Sequence, residues 1–256
     1  MTLMTETLET IRERQRRPFA WRRDGWVLAL AMVLPTLGAW LYFDVFAGRG
    51  GIPGVLYSAM KGVQLLLPMG WMVLVRREKL HLPRWQGRSA MLGLSFGVLT
   101  AAAMLPVYFL IASQTDLLNQ TVPVLKAKLV DFRITGLSGF VAMALFISFV
   151  HAGFEEYYWR WFVFRRLSEG MNWQPAALLS ALAFAAHHVV VLDAYLPPEH
   201  FWTATVGFSL AIACGGAVWA WIYQRTGHIV GAWVAHVLAD LAIMYIGYDL
   251  LQGHLT

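Results

Sequence analysis

Two neighbouring carboxylates stand in one of the most apolar parts of the chain. The stretch FEEYYWRWF, residues 154–162, holds Glu155 and Glu156, with Arg160 four residues after the second. Because Glu156 and Arg160 are spaced i,i+4, they share one face of a helix and can form an ion pair. Glu155 lies about 100° further around that helix. We therefore expect Glu156 and Arg160 to brace a site into which Glu155 points.

Two later segments carry imidazoles at helical spacing. His188 follows Phe184 by four residues, which predicts that the aromatic ring lies directly beneath the imidazole, and Asp240 follows His236 by four residues. A carboxylate and an imidazole that share a water molecule form a general-base arrangement. A second imidazole, with a side chain one turn away, can stabilise the oxyanion of a tetrahedral intermediate. This set of groups predicts hydrolysis of an amide bond without a nucleophilic serine or cysteine.

A metal site is the alternative chemistry for the same residues. Glu155, His188 and His236 make a His2Glu zinc set with one open position. The usual HExxH helix is absent from the sequence, so the spacing does not single out zinc. We expect that no cofactor is required, and we keep a divalent metal such as zinc as the alternative.

The composition places these groups in a membrane. The chain has 256 residues, of which 58% are hydrophobic and 14% charged, which is too apolar for a soluble domain of this size. The single cysteine excludes an intrachain disulfide. Runs of about 20 apolar residues cross a bilayer as helices. The predicted spans are Trp26–Ala47, Gly54–Val75, Ala90–Ala112, Gly139–Phe164, Ala176–Leu196, Thr203–Tyr223 and Ile229–Leu251.

The predicted fold is therefore an all-α, polytopic integral membrane protein of about seven transmembrane helices, with a polar site in the helix bundle. Residues 1–25 are expected to form a cytoplasmic, Arg-rich segment, and residues 26–256 a single membrane domain. Gln120–Ile134 is predicted to be an amphipathic segment on the membrane surface and not a further span.

Basic residues set the expected orientation. They gather before the first span, between the second and third, and after the fourth and sixth. The positive-inside rule then places the N-terminus in the cytoplasm and, with seven spans, the C-terminus outside. The net charge of +5 is thus explained by membrane topology, and no nucleic-acid partner is expected.

Three of these motifs together resemble a known family, the CAAX proteases and bacteriocin-processing enzymes, also called Abi proteins. The family pattern of EExxxR, FxxxH and HxxxN or HxxxD corresponds here to EEYYWR (Glu155–Arg160), FAAHH (Phe184–His188) and HVLAD (His236–Asp240). The resemblance covers residues 139–251, which we take as the catalytic core. The first three spans share only their apolar character with the family.

The resemblance implies a role for each matched residue. Glu155 would activate the water, with His188 helping to position it, and Glu156 and Arg160 would be structural. His236 and Asp240 would line the oxyanion site. Members that process prenylated proteins resemble HxxxN, and an ionised Asp cannot donate a hydrogen bond. Asp240 is therefore either protonated or orients His236.

The expected activity is that of an intramembrane endopeptidase, of glutamate type or metal-dependent. Its expected partners are the lipid bilayer and a protein or peptide substrate, lipidated or membrane-anchored. The expected location is the bacterial inner membrane. Two other functions stay open, namely a non-catalytic scaffold, immunity or regulatory protein of the same fold, and a proton-coupled transporter, since buried Glu and His also form proton relays.

Overall fold

The computed structural model describes residues 19–47, 49, 52–78 and 85–255. Within these ranges the chain forms helices and no strand. Most of the predicted Arg-rich N-terminal segment, residues 1–18, lies outside the described residues. The first membrane helix already begins at Trp21, so Arg22, Arg23 and Asp24 belong to that helix.

Within the described residues, seven helices are long and apolar enough to cross a membrane, which confirms the predicted all-α polytopic fold. Their bounds agree with the predicted spans to within a few residues at most ends, the largest difference being a longer fourth helix. We number them span 1 to span 7: Trp21–Val45, Gly54–Val75, Gly87–Gln114, Gly136–Gly170, Trp173–Asp193, Pro198–Thr226 and Ile229–His254.

Several spans change helical geometry along their length. In span 4 a short α-helix, Ala152–Glu156, lies between two π-helical stretches, Phe146–His151 and Tyr157–Phe164. Such wide turns occur often at functional sites. The other α-helices are Trp21–Trp40, Ile52–Gly70, Gly87–Leu110, Asp116–Asn119, Val122–Asp131, Gly136–Leu145, Arg165–Gly170, Trp173–Asp193, Val206–Thr226 and Ile229–Leu251; π-helical turns span Leu41–Val45, Trp71–Val75 and Phe201–Thr205, and 3-10 turns span Ala112–Gln114, Pro198–His200 and Gln252–His254.

The segment between spans 3 and 4 does not cross the membrane. Its two helices, Asp116–Asn119 and Val122–Asp131, are too short to span a bilayer core of about 30 Å. Side chains of the second helix, including Leu125, pack on Phe140 of span 4 and Leu251 of span 7. The predicted count of seven spans therefore holds for the described residues.

Span 3 lies directly against span 7 because glycines meet at their crossing. A Cβ atom on Gly93 would overlap the backbone of Gly231, and one on Gly231 would lie 2.7 Å from the Ser89 Oγ. The Ser89 Oγ also accepts the Gly231 N–H at 3.0 Å. Small residues that let two backbones approach are typical of helix contacts in membranes. This crossing fixes the position of span 7, which carries His236.

One end of the bundle is held by ion pairs. Arg76, just after span 2, contacts Asp24 of span 1 at 3.4 Å and Glu169 at the end of span 4 at 2.8 Å. Both Arg76 and Asp24 are buried. Because these residues come from three separate segments, the network fixes the ends of spans 1, 2 and 4 relative to one another.

Glu78 extends this network outside the membrane-spanning helices. Burial alone would raise the pKa of its carboxyl, but the guanidiniums of Arg166, Arg165 and Arg76 outweigh that effect and hold the pKa below its usual value. The Arg166 Nη1 donates to Glu78 at 2.9 Å. Glu78 therefore stabilises the fold in its ionised form, and this contribution is lost as the pH falls through its lowered pKa.

The glycine crossing gives a test of the fold. Gly93→Ala is expected to lower the free energy of unfolding by about 1–3 kcal/mol, because the added methyl group overlaps backbone that cannot swing away. The thermal midpoint of the purified protein in detergent measures this effect. Gly207→Ala in span 6 is the matched control, since a Cβ atom there would meet nothing within 4 Å. Equal midpoints for the two variants would contradict the crossing.

Candidate active site

The predicted ion pair of span 4 is present and fully buried. The Arg160 Nη1 donates to the Glu156 Oε1 at 2.9 Å, and the residues are 1% and 0% exposed. A buried pair of this kind needs further hydrogen bonds to offset the cost of removing two charges from water.

Arg160 has such contacts from two neighbouring spans. Its Nη2 donates to the carbonyl of Gly216 in span 6 at 3.2 Å. Its guanidinium lies 4.7 Å from the Phe184 ring centre and 4.9 Å from that of Trp219, which adds cation–π attraction. A Cβ atom on Gly216 would be 3.1 Å from the Nη2, so the glycine leaves room for this approach.

His236 of span 7 binds the same carboxylate. Its Nδ1 lies 2.8 Å from the Glu156 Oε1. An ionised carboxylate only accepts, so the Nδ1 carries the proton and donates it. The imidazole also stacks on Trp219, with ring centres 4.1 Å apart. These contacts fix the ring and leave its Nε2 facing Glu155 and Asp240, each with a carboxylate oxygen at 3.6 Å.

Glu155 lies among three imidazoles. Its Oε2 faces the His236 Nε2, whereas its Oε1 lies 3.5 Å from the His187 Nε2 and 3.8 Å from the His151 Nε2. Glu155 is 8% exposed. The adjacent carboxylates therefore differ in surroundings, because Glu156 faces a guanidinium and Glu155 faces imidazoles and a cavity.

His188 stands at the edge of this group. Its Nδ1 donates to the Phe184 carbonyl at 3.0 Å, and its ring lies over Phe184, with centres 4.7 Å apart, as the spacing predicted. The described ion pairs include none between His188 and Glu155. His187 contacts both residues, with its Nε2 3.5 Å from the Glu155 Oε1 and its ring centre 4.0 Å from that of His188. The separation of His188 from Glu155 suits a bridging water molecule, because two groups bridged by water lie further apart than two groups that share a direct hydrogen bond.

A cavity of about 380 Å³ reaches Glu155 from the side of spans 1 and 2. This volume is within the range of small-ligand pockets, about 300–1,000 Å³. Its walls are mostly apolar and aromatic, and its polar side chains belong to spans 2, 4 and 5. The lining residues that carry chemistry are Lys61, Gln64, His151, Glu155 and His187.

The structure thus groups five of the six predicted residues through direct contacts: Glu155, Glu156, Arg160, His236 and Asp240. His188 joins them through His187, whose ring centre is 4.0 Å away. His187 was not assigned a role from the sequence, because it points about 100° away from the motif histidine. The only feature of the sequence that indicated His187 was its position beside His188.

The zinc alternative stays a prediction. Within the described ranges, no group of three or more His, Cys, Asp or Glu side chains is arranged to hold a metal ion. In the predicted His2Glu set, the His236 Nε2 approaches Glu155, whereas the His188 Nδ1 is bound to the Phe184 carbonyl.

Comparison with known proteins supports the family resemblance that the three motifs indicated. Residues 137–242 match the family model described as type II CAAX prenyl endopeptidase, Rce1-like. The matched region contains all three motifs and all six predicted site residues. No curated protein and no solved structure matches the chain. Residues 137–242, which carry the paired glutamates and both histidine motifs, are thus similar to the CAAX prenyl endopeptidases, and this match supports the predicted family.

Proposed function

We propose that the chain is an intramembrane endopeptidase in which Glu155 activates a water molecule for attack on a peptide bond. The observation that carries this proposal is the position of Glu155, which lines the cavity while contacting imidazoles from spans 4, 5 and 7. The match to the family model supports a membrane peptidase. That Glu155 is the group that activates the water is our proposal.

The first step is proton transfer from water to Glu155. A water molecule in the cavity would donate one hydrogen bond to the Glu155 carboxylate. The second O–H of this water would donate to the imidazole of His188, which would keep the water oxygen in line with the substrate carbonyl. His188 is suited to this because its Nδ1 donates to Phe184, which leaves the Nε2 of the neutral ring as an acceptor. The hydroxide oxygen then bonds to the carbonyl carbon.

The second step is collapse of the tetrahedral intermediate. Its oxyanion would lie beside His236 and Asp240, the matched motif residues on span 7. Because the His236 Nδ1–H is bound to Glu156, His236 would donate from its Nε2 as an imidazolium, and Asp240 would donate in its protonated form. Preorganised donors at such a position lower the barrier because they need no rearrangement during the reaction. The carbon–nitrogen bond breaks, and the proton that Glu155 took from water passes to the leaving amine.

The substrate is proposed to be a membrane-associated protein or peptide, with a lipidated CAAX-like tail as the class that the family suggests. The N-terminus is proposed to be cytoplasmic, because Arg23, Arg76, Arg165 and Arg166 gather at one end of the bundle as the positive-inside rule requires. A bacterial inner membrane is the proposed location.

The central prediction concerns Glu155→Gln. This change keeps the shape of the side chain and removes the base, so peptide hydrolysis is expected to fall by about 10²–10⁴-fold. The measurement compares membrane-protein termini in cells that carry the wild type or the variant at equal abundance. Termini that vanish with Glu155→Gln identify the substrate.

Glu199→Gln is the matched control, since Glu199 is an exposed carboxylate in the 3-10 turn that begins span 6. Termini that are identical in all three strains, while Glu155→Gln still rescues a deletion phenotype, would contradict hydrolysis and favour a scaffold. With the purified wild type, activity is expected to persist in a metal chelator; its loss there, with recovery on added zinc, would overturn the glutamate-type mechanism.

Asp240 provides a second prediction. An asparagine can donate a hydrogen bond to the oxyanion, so Asp240→Asn is expected to keep activity within about tenfold of the wild type, whereas Asp240→Ala loses about 10²–10³-fold. Hydrolysis of the identified substrate by the purified variants measures both. Equal, severe losses for Asn and Ala would show instead that the charge of Asp240 is needed to orient His236.

A further inference from the structure

We infer that Lys61 of span 2 binds a carboxylate of the peptide substrate and so sets which substrates are cleaved. This inference rests on the proposed peptidase function. Lys61 lies outside the region that matches the family, residues 137–242, yet it lines the same cavity as Glu155.

The placement of Lys61 follows from the contact between spans 2 and 4. The Tyr157 hydroxyl donates to the Leu65 carbonyl at 3.1 Å. Lys61 lies one helical turn before Leu65 on the same face of span 2, and Glu155 lies two residues before Tyr157. Because spans 2 and 4 run in the same direction through the bundle, both side chains lie on the same side of this hydrogen bond.

Lys61 has no anionic partner among the described residues. Its Nζ lies 5.4 Å from the centre of the Tyr57 ring, and no described carboxylate lies within 4 Å of it. An ammonium group has three donors and no acceptor, and a charged group inside a membrane is typically paired or marks a substrate pathway. Lys61 also lies on the wall of the cavity, so its donors face the space that a substrate would fill.

A carboxylate is the peptide group that complements this arrangement. A charge-assisted hydrogen bond from ammonium to carboxylate is about twice as strong as a neutral one. The apolar and aromatic walls suit a short peptide. The carboxylate would bind at Lys61 and away from Glu155, since like charges repel. The scissile bond would then lie a short distance from the anchored carboxylate.

The carboxylate can be the C-terminus of the substrate or an acidic side chain near the cleavage site. The test uses synthetic peptides that span the cleavage sites found in the Glu155→Gln comparison. One peptide ends in a free carboxylate, a second in a carboxamide, and a third has its acidic side chains replaced by amides. Purified wild type and Lys61→Met in liposomes are assayed on each peptide.

The wild type is expected to cleave the peptide with its carboxylate intact about tenfold or more faster than the neutralised one. Lys61→Met is expected to remove this preference and to cleave both at the lower rate, whereas Lys61→Arg keeps it. Lys126→Met, on the short helix outside the cavity, is the control for loss of a positive charge. Whichever neutralised peptide the wild type cleaves more slowly identifies the carboxylate that Lys61 binds, either the C-terminus or an acidic side chain.

Two results would overturn the inference and are distinguishable. In the first, Glu155→Gln abolishes cleavage, but the charged and neutralised peptides are cleaved at equal rates by both the wild type and Lys61→Met. The peptidase function then stands, and Lys61 has another role. If no terminus depends on Glu155, the proposed function and this inference fail together.

Discussion

The site depends on one buried oxygen atom. The Glu156 Oε1 accepts hydrogen bonds from Arg160 and from His236, which joins span 4 to span 7. Arg160 continues the network to the Gly216 carbonyl in span 6 and to the Phe184 ring in span 5. Because a buried charge without a partner costs several kcal/mol, these four spans have a strong preference for one arrangement.

This constraint explains why two glutamates stand side by side. The Glu156 Oε1 binds a guanidinium and an imidazole, and its position orients the His236 Nε2 toward Glu155. Among the described residues Glu155 forms no ion pair with a guanidinium, and it lies where the cavity meets the imidazoles. One carboxylate therefore maintains the geometry and the other remains available for proton transfer.

Much of this arrangement follows from the sequence. The apolar runs predicted seven helices because a bilayer demands about 20 residues for each. The i,i+4 spacing predicted the Glu156–Arg160 pair and the ring contact of Phe184 with His188, since these depend only on the geometry of one helix. The family motifs then predicted that spans 4, 5 and 7 meet.

Contacts between helices were harder to predict. The rotation of span 7 makes His236 bind Glu156, whereas the spacing offered only Asp240 as its partner. Span 5 turns His187 toward Glu155, a choice that helical angles within span 5 do not determine. In the sequence, Lys61 is a single cation in an apolar run. Its position at the cavity depends on the packing of span 2 on span 4. Each of these depends on packing between segments far apart in the sequence.

The most direct test of this account compares the stabilities of two adjacent variants, Glu155→Gln and Glu156→Gln. Thermal unfolding of the purified proteins in one detergent is the measurement. The account predicts that Glu156→Gln lowers the free energy of unfolding by about 3–5 kcal/mol, as expected when a buried ion pair loses one partner. Glu155→Gln is predicted to unfold near the wild-type midpoint. A stable Glu156→Gln variant beside a strongly destabilised Glu155→Gln variant would contradict the division of labour between the two glutamates.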